Sequence, residues 1–148
     1  MRCLLLVALV ACGHPSHAPS APAHHVGPAG PPLYDRIGRM DAIKGIVKDF
    51  VEDQLLKGPL APRFSAANIP RLEDELARQL CELAGGPCKY TGKPMREAHA
   101  GMPITEAEFT GFVDAFAKSL AKFKVEAVEQ RELLALVKQQ HDVIVVPQ

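Results

Sequence analysis

Four stretches of this chain carry apolar residues at the 3.6-residue period of a helix, and most of them end where glycine and proline stop a helix from continuing. Ile43, Ile46, Val47, Phe50 and Val51 make the first stripe, closed by Lys57-Gly58-Pro59. Leu72, Leu76, Leu80 and Leu83 make the second, which starts near Pro70, a residue suited to a first turn, and ends at Gly85-Gly86-Pro87. Thr105-Glu106-Ala107-Glu108 has the form of a capping box, opening a third helix striped by Phe109, Phe112, Val113, Phe116, Leu120 and Phe123. Leu133, Leu134, Val137, His141 and Ile144 predict a fourth. No segment alternates polar and apolar residues long enough to argue for a sheet, so the predicted class is all-α.

The chain has 148 residues with 17 basic and 17 acidic side chains. Arg2 is the only charged residue ahead of Asp35, which leaves 16 basic and 17 acidic residues beyond it. That balance carries no nucleic-acid footprint.

The first twelve residues join a positive start to an apolar run of about ten, too short to span a bilayer and typical of an export signal. Leu9-Val10-Ala11-Cys12 resembles the bacterial lipobox, in which the cysteine is lipidated and becomes the new first residue. Residues 1–11 are therefore expected to be a lipoprotein signal peptide, and Cys12 a membrane anchor. With Gly13 rather than Asp after the cysteine, the expected location is the cell envelope, at the outer membrane on its periplasmic side. Residues 13–32 hold six prolines in twenty residues and read as a Pro- and His-rich disordered tether, reaching up to roughly 60 Å. Residues 33–148 form the predicted folded domain.

Four of the six histidines lie in the tether, where no fixed geometry would hold a metal. His99 and His141 remain. A neutral imidazole is a common nitrogen ligand for iron, but on spacing alone His99, beside Met95 and Ala98, also fits a half-buried helix position. Cys81 and Cys88 stand seven residues apart, about 10 Å on an unbroken helix and too far for a bridge. The break at Gly85-Gly86-Pro87 lets the chain double back, so in an oxidising compartment a disulfide is expected, with two free thiols as the alternative.

A series of short words then carries a family resemblance. In order they are Leu33-Tyr-Asp-Arg-Ile-Gly38, Val47-Lys-Asp-Phe50, Leu60-Ala-Pro-Arg-Phe64, Arg71-Leu72, Leu83-Ala-Gly-Gly-Pro87, Tyr90-Thr-Gly92, Met95 with His99, and Ile104-Thr105. Their order and spacing resemble the group I truncated haemoglobins over residues 33 to about 145. The resemblance implies a two-over-two helical sandwich around haem b, with oxygen, nitric oxide or carbon monoxide as ligand and an unidentified reductase as partner. By its pattern His99 matches the proximal iron ligand, and Met95 packs beside it. Phe64 matches the aromatic on the haem edge, Ile104 a pocket wall, and Arg71, with Lys93 as a second cation, the partner of a haem propionate.

The same comparison marks departures on the distal side, where Phe50, Val51, Leu72 and Leu76 are expected to face the ligand. Val51 stands where many members have Tyr, and Leu76 where many have Gln. Gln79 is assigned a helical phase pointing away from the iron, so the distal face is expected to offer bound oxygen no donor. Such a donor contributes on the order of 1–3 kcal/mol. Arg39 replaces the second Gly of a Gly-Gly pair ahead of the first long helix, which affects how that helix is entered. The implied function is reversible binding of oxygen or another diatomic gas, with oxidation of nitric oxide to nitrate as a further activity. The alternative is a haem-based gas sensor or redox partner without turnover.

Overall fold

The computed structural model describes residues 30–145. The predicted signal peptide, Cys12 and residues 13–29 of the tether lie outside the described residues. The elements in order are α1 (Leu33–Arg36), α2 (Arg39–Asp49), a π-helical turn (Phe50–Leu55), a 3-10 turn (Ala61–Phe64), α3 (Ile69–Leu83), α4 (Met95–Ala98), α5 (Glu106–Lys122), α6 (Ala127–Lys138) and α7 (His141–Ile144). No strand occurs among the described residues.

Local chemistry explains the boundaries. Asn68 caps α3, its side chain accepting from the Arg71 backbone N–H at 3.1 Å, and Pro70 occupies the first turn. Thr105 and Glu108 close the predicted capping box at the head of α5: Glu108 N–H donates to Thr105 Oγ1 (3.2 Å) and Thr105 N–H to Glu108 Oε2 (2.9 Å). The fourth predicted helix differs from expectation, because it is split into α6 and α7. The Gln140 N–H bonds back three residues to the Val137 carbonyl, a tightening that ends α6 and starts a new turn at His141.

The entry to α2 is also as unusual as its sequence. Gly38 and Arg39 both have positive φ, 93° and 62°. An arginine there is held in a region that disfavours side chains bearing a Cβ, and the contact of its Nε with Asp35 Oδ1 at 2.7 Å helps fix it.

Two helix pairs make the body: α2 with its π-helical end lies along α3, and α5 lies along α6 while crossing the π-helical turn. Phe50, Phe116, Ile43, Ile46, Leu55, Leu120 and Leu133 are fully buried between them. Each such side chain contributes roughly 1.5–3 kcal/mol by leaving water. One polar cluster crosses the seam, where buried Asp49 accepts from Ser119 Oγ at 2.7 Å and from Lys122 Nζ. Arg36 bridges α1 to α6 through Glu129 (2.7 Å) and Glu132.

Candidate functional site

Between α3, α5 and the α4 segment the helices stand apart and leave a cavity of about 360 Å³, a size typical of small-molecule sites, ~300–1,000 Å³. The second stripe faces it with Leu72, Leu76, Leu80 and Leu83, and the third with Phe109, Phe112 and Phe116. Phe50 completes this wall, its ring set edge-on to Phe112 and Phe116 with centroids 4.9 and 5.1 Å away. Phe64, Met95, Ile104 and His99 also line it.

His99 follows the single turn of α4 as its C-terminal cap. Its backbone N–H and its ring Nδ1 both approach the Met95 carbonyl, at 3.1 and 2.9 Å. A carbonyl only accepts, so Nδ1 carries a hydrogen, and it is Nε2 that is left to offer a lone pair to a metal. Among the described residues Nε2 has no hydrogen-bond partner. A neutral imidazole whose tautomer is fixed by a backbone carbonyl is the arrangement of a metal-ligating histidine with its outer support in place.

The polar rim is built from elements far apart in sequence. Arg63 donates from Nε to Glu108 Oε1 (2.6 Å) and from Nη2 to Glu108 Oε2 (2.9 Å) and the Pro103 carbonyl (2.8 Å). The Arg63 guanidinium, with help from Thr105, lowers the Glu108 carboxyl to about 2. On the other side Tyr90 lines the cavity and donates its hydroxyl to the Lys93 carbonyl at 2.9 Å. Its backbone N–H donates to Glu82 Oε2 at 3.1 Å, and this bond, more than Lys89, lowers the Glu82 carboxyl. The structure joins Cys81 to Cys88, with Cα atoms 5.8 Å apart, and so ties the end of α3 to the segment carrying Tyr90. Gly86 makes the doubling-back feasible, since a Cβ there would meet Cys81 Sγ and Tyr34 Cδ2 at 2.6 Å.

Two sequence expectations do not match this geometry, those for Val51 and for Gln79. Val51 forms no part of the cavity wall and is completely buried in the core. The reason is helical phase: Val51 lies one turn beyond buried Val47 on the core side, while Phe50 is turned toward α5 and the wall. The π-helical turn begins here, with the Leu56 N–H bonding five residues back to the Val51 carbonyl (3.0 Å). Arg71 and Lys93 lie exposed outside the cavity lining, a placement open to the edge of a bound group, and Arg63 is the cation on the lining among the described residues. Gln79 does line the cavity, against the helical phase first assigned to it. Seven residues beyond Leu72, it sits within about 20° of that residue around the axis, so the periodicity itself places it on the wall. Glu75 on the same face was not anticipated. The α3 wall of the cavity therefore carries two polar groups among its leucines. His141 stays off the wall, where Asp142 first and Glu106 second raise its imidazole.

A two-pair helical fold with one imidazole held against a mostly apolar slot is the arrangement of a globin-like helical protein with room for a flat apolar group. Comparison with known proteins agrees: residues 32–145 match the model of the family described as bacterial-like globin. The chain belongs to that family, the truncated haemoglobins. It is 30% identical to a group 1 truncated hemoglobin, GlbN, of Mycolicibacterium paratuberculosis over 105 residues, 71% of this chain and 77% of that protein. It is 32% identical to the Nostoc commune GlbN over 90 residues, 61% and 73% of the two chains. The truncated hemoglobin of Tetrahymena pyriformis in its Fe(III) form superposes with a TM-score of 0.75 at 23% identity, covering 79% of this chain and all of that one. Membership of this family carries haem binding and haem-based binding of diatomic gases.

Proposed function

We propose that this protein is a group I type globin that binds haem b through His99 Nε2, reversibly takes up oxygen or another diatomic gas, and works at the cell envelope, anchored through a lipidated Cys12. The observation that carries the haem assignment is the 2.9 Å contact of His99 Nδ1 with the Met95 carbonyl, which leaves Nε2 as the donor atom on the cavity wall. The cavity and its residues fit the group: a flat apolar macrocycle matches walls of Leu72, Leu76, Phe64, Phe112 and Ile104, and Arg63 is a cation for its anionic edge. Arg71 and Lys93, exposed and without ion pairs among the described residues, are secondary candidates for the same edge.

Ferrous haem supplies one open coordination position for a gas. The protein's part is to fix the imidazole, keep water out with the Phe and Leu side chains, and offer the gas a hydrogen bond from Gln79 on the α3 wall. Nitric oxide oxidation to nitrate, the second activity implied, requires in addition a reductase that returns the iron to the ferrous state. The leader and lipobox support the envelope location.

The test is an absorption spectrum of the purified soluble domain reconstituted with haem. Wild type is expected to show a Soret band, His99→Ala to lose haem or need added imidazole to keep it, and His141→Ala to match wild type. A normal Soret band in His99→Ala without imidazole refutes the assignment.

A further inference from the structure

The α3 wall of the cavity presents two polar side chains among leucines. Around the helix axis Gln79 falls within about 20° of Leu72 and Glu75 about 60° to the same side, and one helical turn separates the two, so they lie one above the other. Both line the cavity. Glu75 Oε2 is closed off from solvent and has no hydrogen-bond partner among the described residues. Tyr90 does not supply one. Its phenol is raised by burial and, secondarily, by the Glu75 charge, but its hydroxyl is already given to the Lys93 carbonyl. The cation on the wall does not supply one either, because Arg63 is engaged by Glu108 and the Pro103 carbonyl. Glu73 Oε1 is likewise shielded and unpartnered, but Glu73 does not line the cavity; what sets Glu75 apart is that its Oε2 lies on the wall beside Gln79, where a ligand in the cavity can bring the donor.

We propose that Glu75 and Gln79 form the selective polar site of this pocket, favouring haem ligands that carry their own hydrogen, the small hydrides of oxygen and sulfur: water, hydrogen peroxide and hydrogen sulfide. The two groups are complementary. The Gln79 amide N–H donates to a ligand lone pair, and Glu75 Oε2 accepts the ligand's hydrogen. A ligand that only accepts, such as azide, uses Gln79 and gains nothing from Glu75. The proposal rests on haem binding through His99, and its positions are distinct from Val51 and Leu76, where the departures from the family were first noted.

Sulfide and azide titrations of the ferric holoprotein, followed by the Soret shift, read the two contributions separately. Glu75→Leu is expected to weaken sulfide binding about tenfold or more and to leave azide binding unchanged or tighter. Glu75→Gln keeps an acceptor oxygen and should hold the sulfide-to-azide affinity ratio within about threefold of wild type. Gln79→Leu should weaken both ligands alike. In the apoprotein, Glu75→Leu should raise the thermal midpoint, since a shielded, unpartnered carboxylate oxygen has been removed. An unchanged affinity ratio in Glu75→Leu, or a lowered apoprotein midpoint revealing a structural partner, overturns the proposal while leaving haem binding intact. Wild-type protein that takes up no haem overturns both.

Discussion

Replacing Val51 by Tyr distinguishes the geometry of this pocket from the one its family pattern suggests. If Val51 faced the ligand, a tyrosine would supply a hydrogen-bond donor and slow oxygen release. In the structure it is 0% exposed and held in the π-helical turn between α2 and α5, away from the cavity. A phenol ring at this position has nowhere to go without displacing neighbours, an overpacking that costs roughly 1–3 kcal/mol. Its hydroxyl, if it finds no partner there, adds about 1–3 kcal/mol. The sum, ~2–6 kcal/mol, is a large share of the 5–15 kcal/mol typical of a whole domain. For a folded part of roughly 115 residues it corresponds to a fall in midpoint of about 8–20 °C. Thermal melts of the haem-loaded domain by circular dichroism, paired with stopped-flow oxygen release, read both quantities. Val51→Tyr is expected to melt far below wild type with release unchanged or faster. A variant that melts within about 2 °C of wild type and releases oxygen tenfold more slowly would refute the buried placement.

Reduction of the Cys81–Cys88 bridge, or Cys81→Ser with Cys88→Ser, should lower stability by about 2–3 kcal/mol in urea melts, a short loop giving the smaller range of such effects; maleimide labelling of two thiols in unreduced denatured protein would remove its basis. Glu108 and Asp53 are both lowered to about 2, by Arg63 with Thr105 and by Lys57 with Lys122. Carboxyls depressed in the folded state stabilise it above their unfolded values and lose that contribution as pH falls through the folded ones. The midpoint should therefore drop between about pH 4.5 and 2, less steeply in Glu108→Gln, and an identical acid profile for that variant would count against the ion pair. Cys12→Ser should stop incorporation of a palmitate analogue and release the protein from membranes, and label retained on the variant would point to an ordinary signal peptide.

Much of the body was legible in the sequence because its cues are local. The Leu72 to Leu83 stripe, the Thr105–Glu108 capping box and the Gly85-Gly86-Pro87 break each act within a few residues, and each appears where expected. His99 was legible as a ligand only through the order of words around it, since one imidazole on a short turn carries no signature. What strengthens it is the Met95 carbonyl, a contact set by how α4 closes rather than by residue type. Val51 was misplaced because the family pattern was followed there in place of the chain's own stripe: it lies one helical turn beyond Val47 and is buried with it. Arg63 was passed over as part of the Leu60-Ala-Pro-Arg-Phe64 word, because its partner Glu108 lies 45 residues away. Gln79 needed only careful counting.

The departures from the family pattern then fall into one account. With Phe50 on the wall and Val51 in the core, the position that the family pattern gives to a donor is used for packing. Leu72 and Leu76 fill the centre of the α3 face with hydrocarbon, so polar recognition moves along the same helix to Glu75 and Gln79. The Cys81–Cys88 bridge lies at the end of that helix and holds Tyr90 beside the polar pair. In an empty pocket an apolar side chain at position 75 would be more stable than a carboxylate with a shielded, unpartnered oxygen on the cavity wall. A ligand that donates to Glu75 and accepts from Gln79 removes that cost, which is why the proposed site is expected to discriminate by the ligand's own hydrogen.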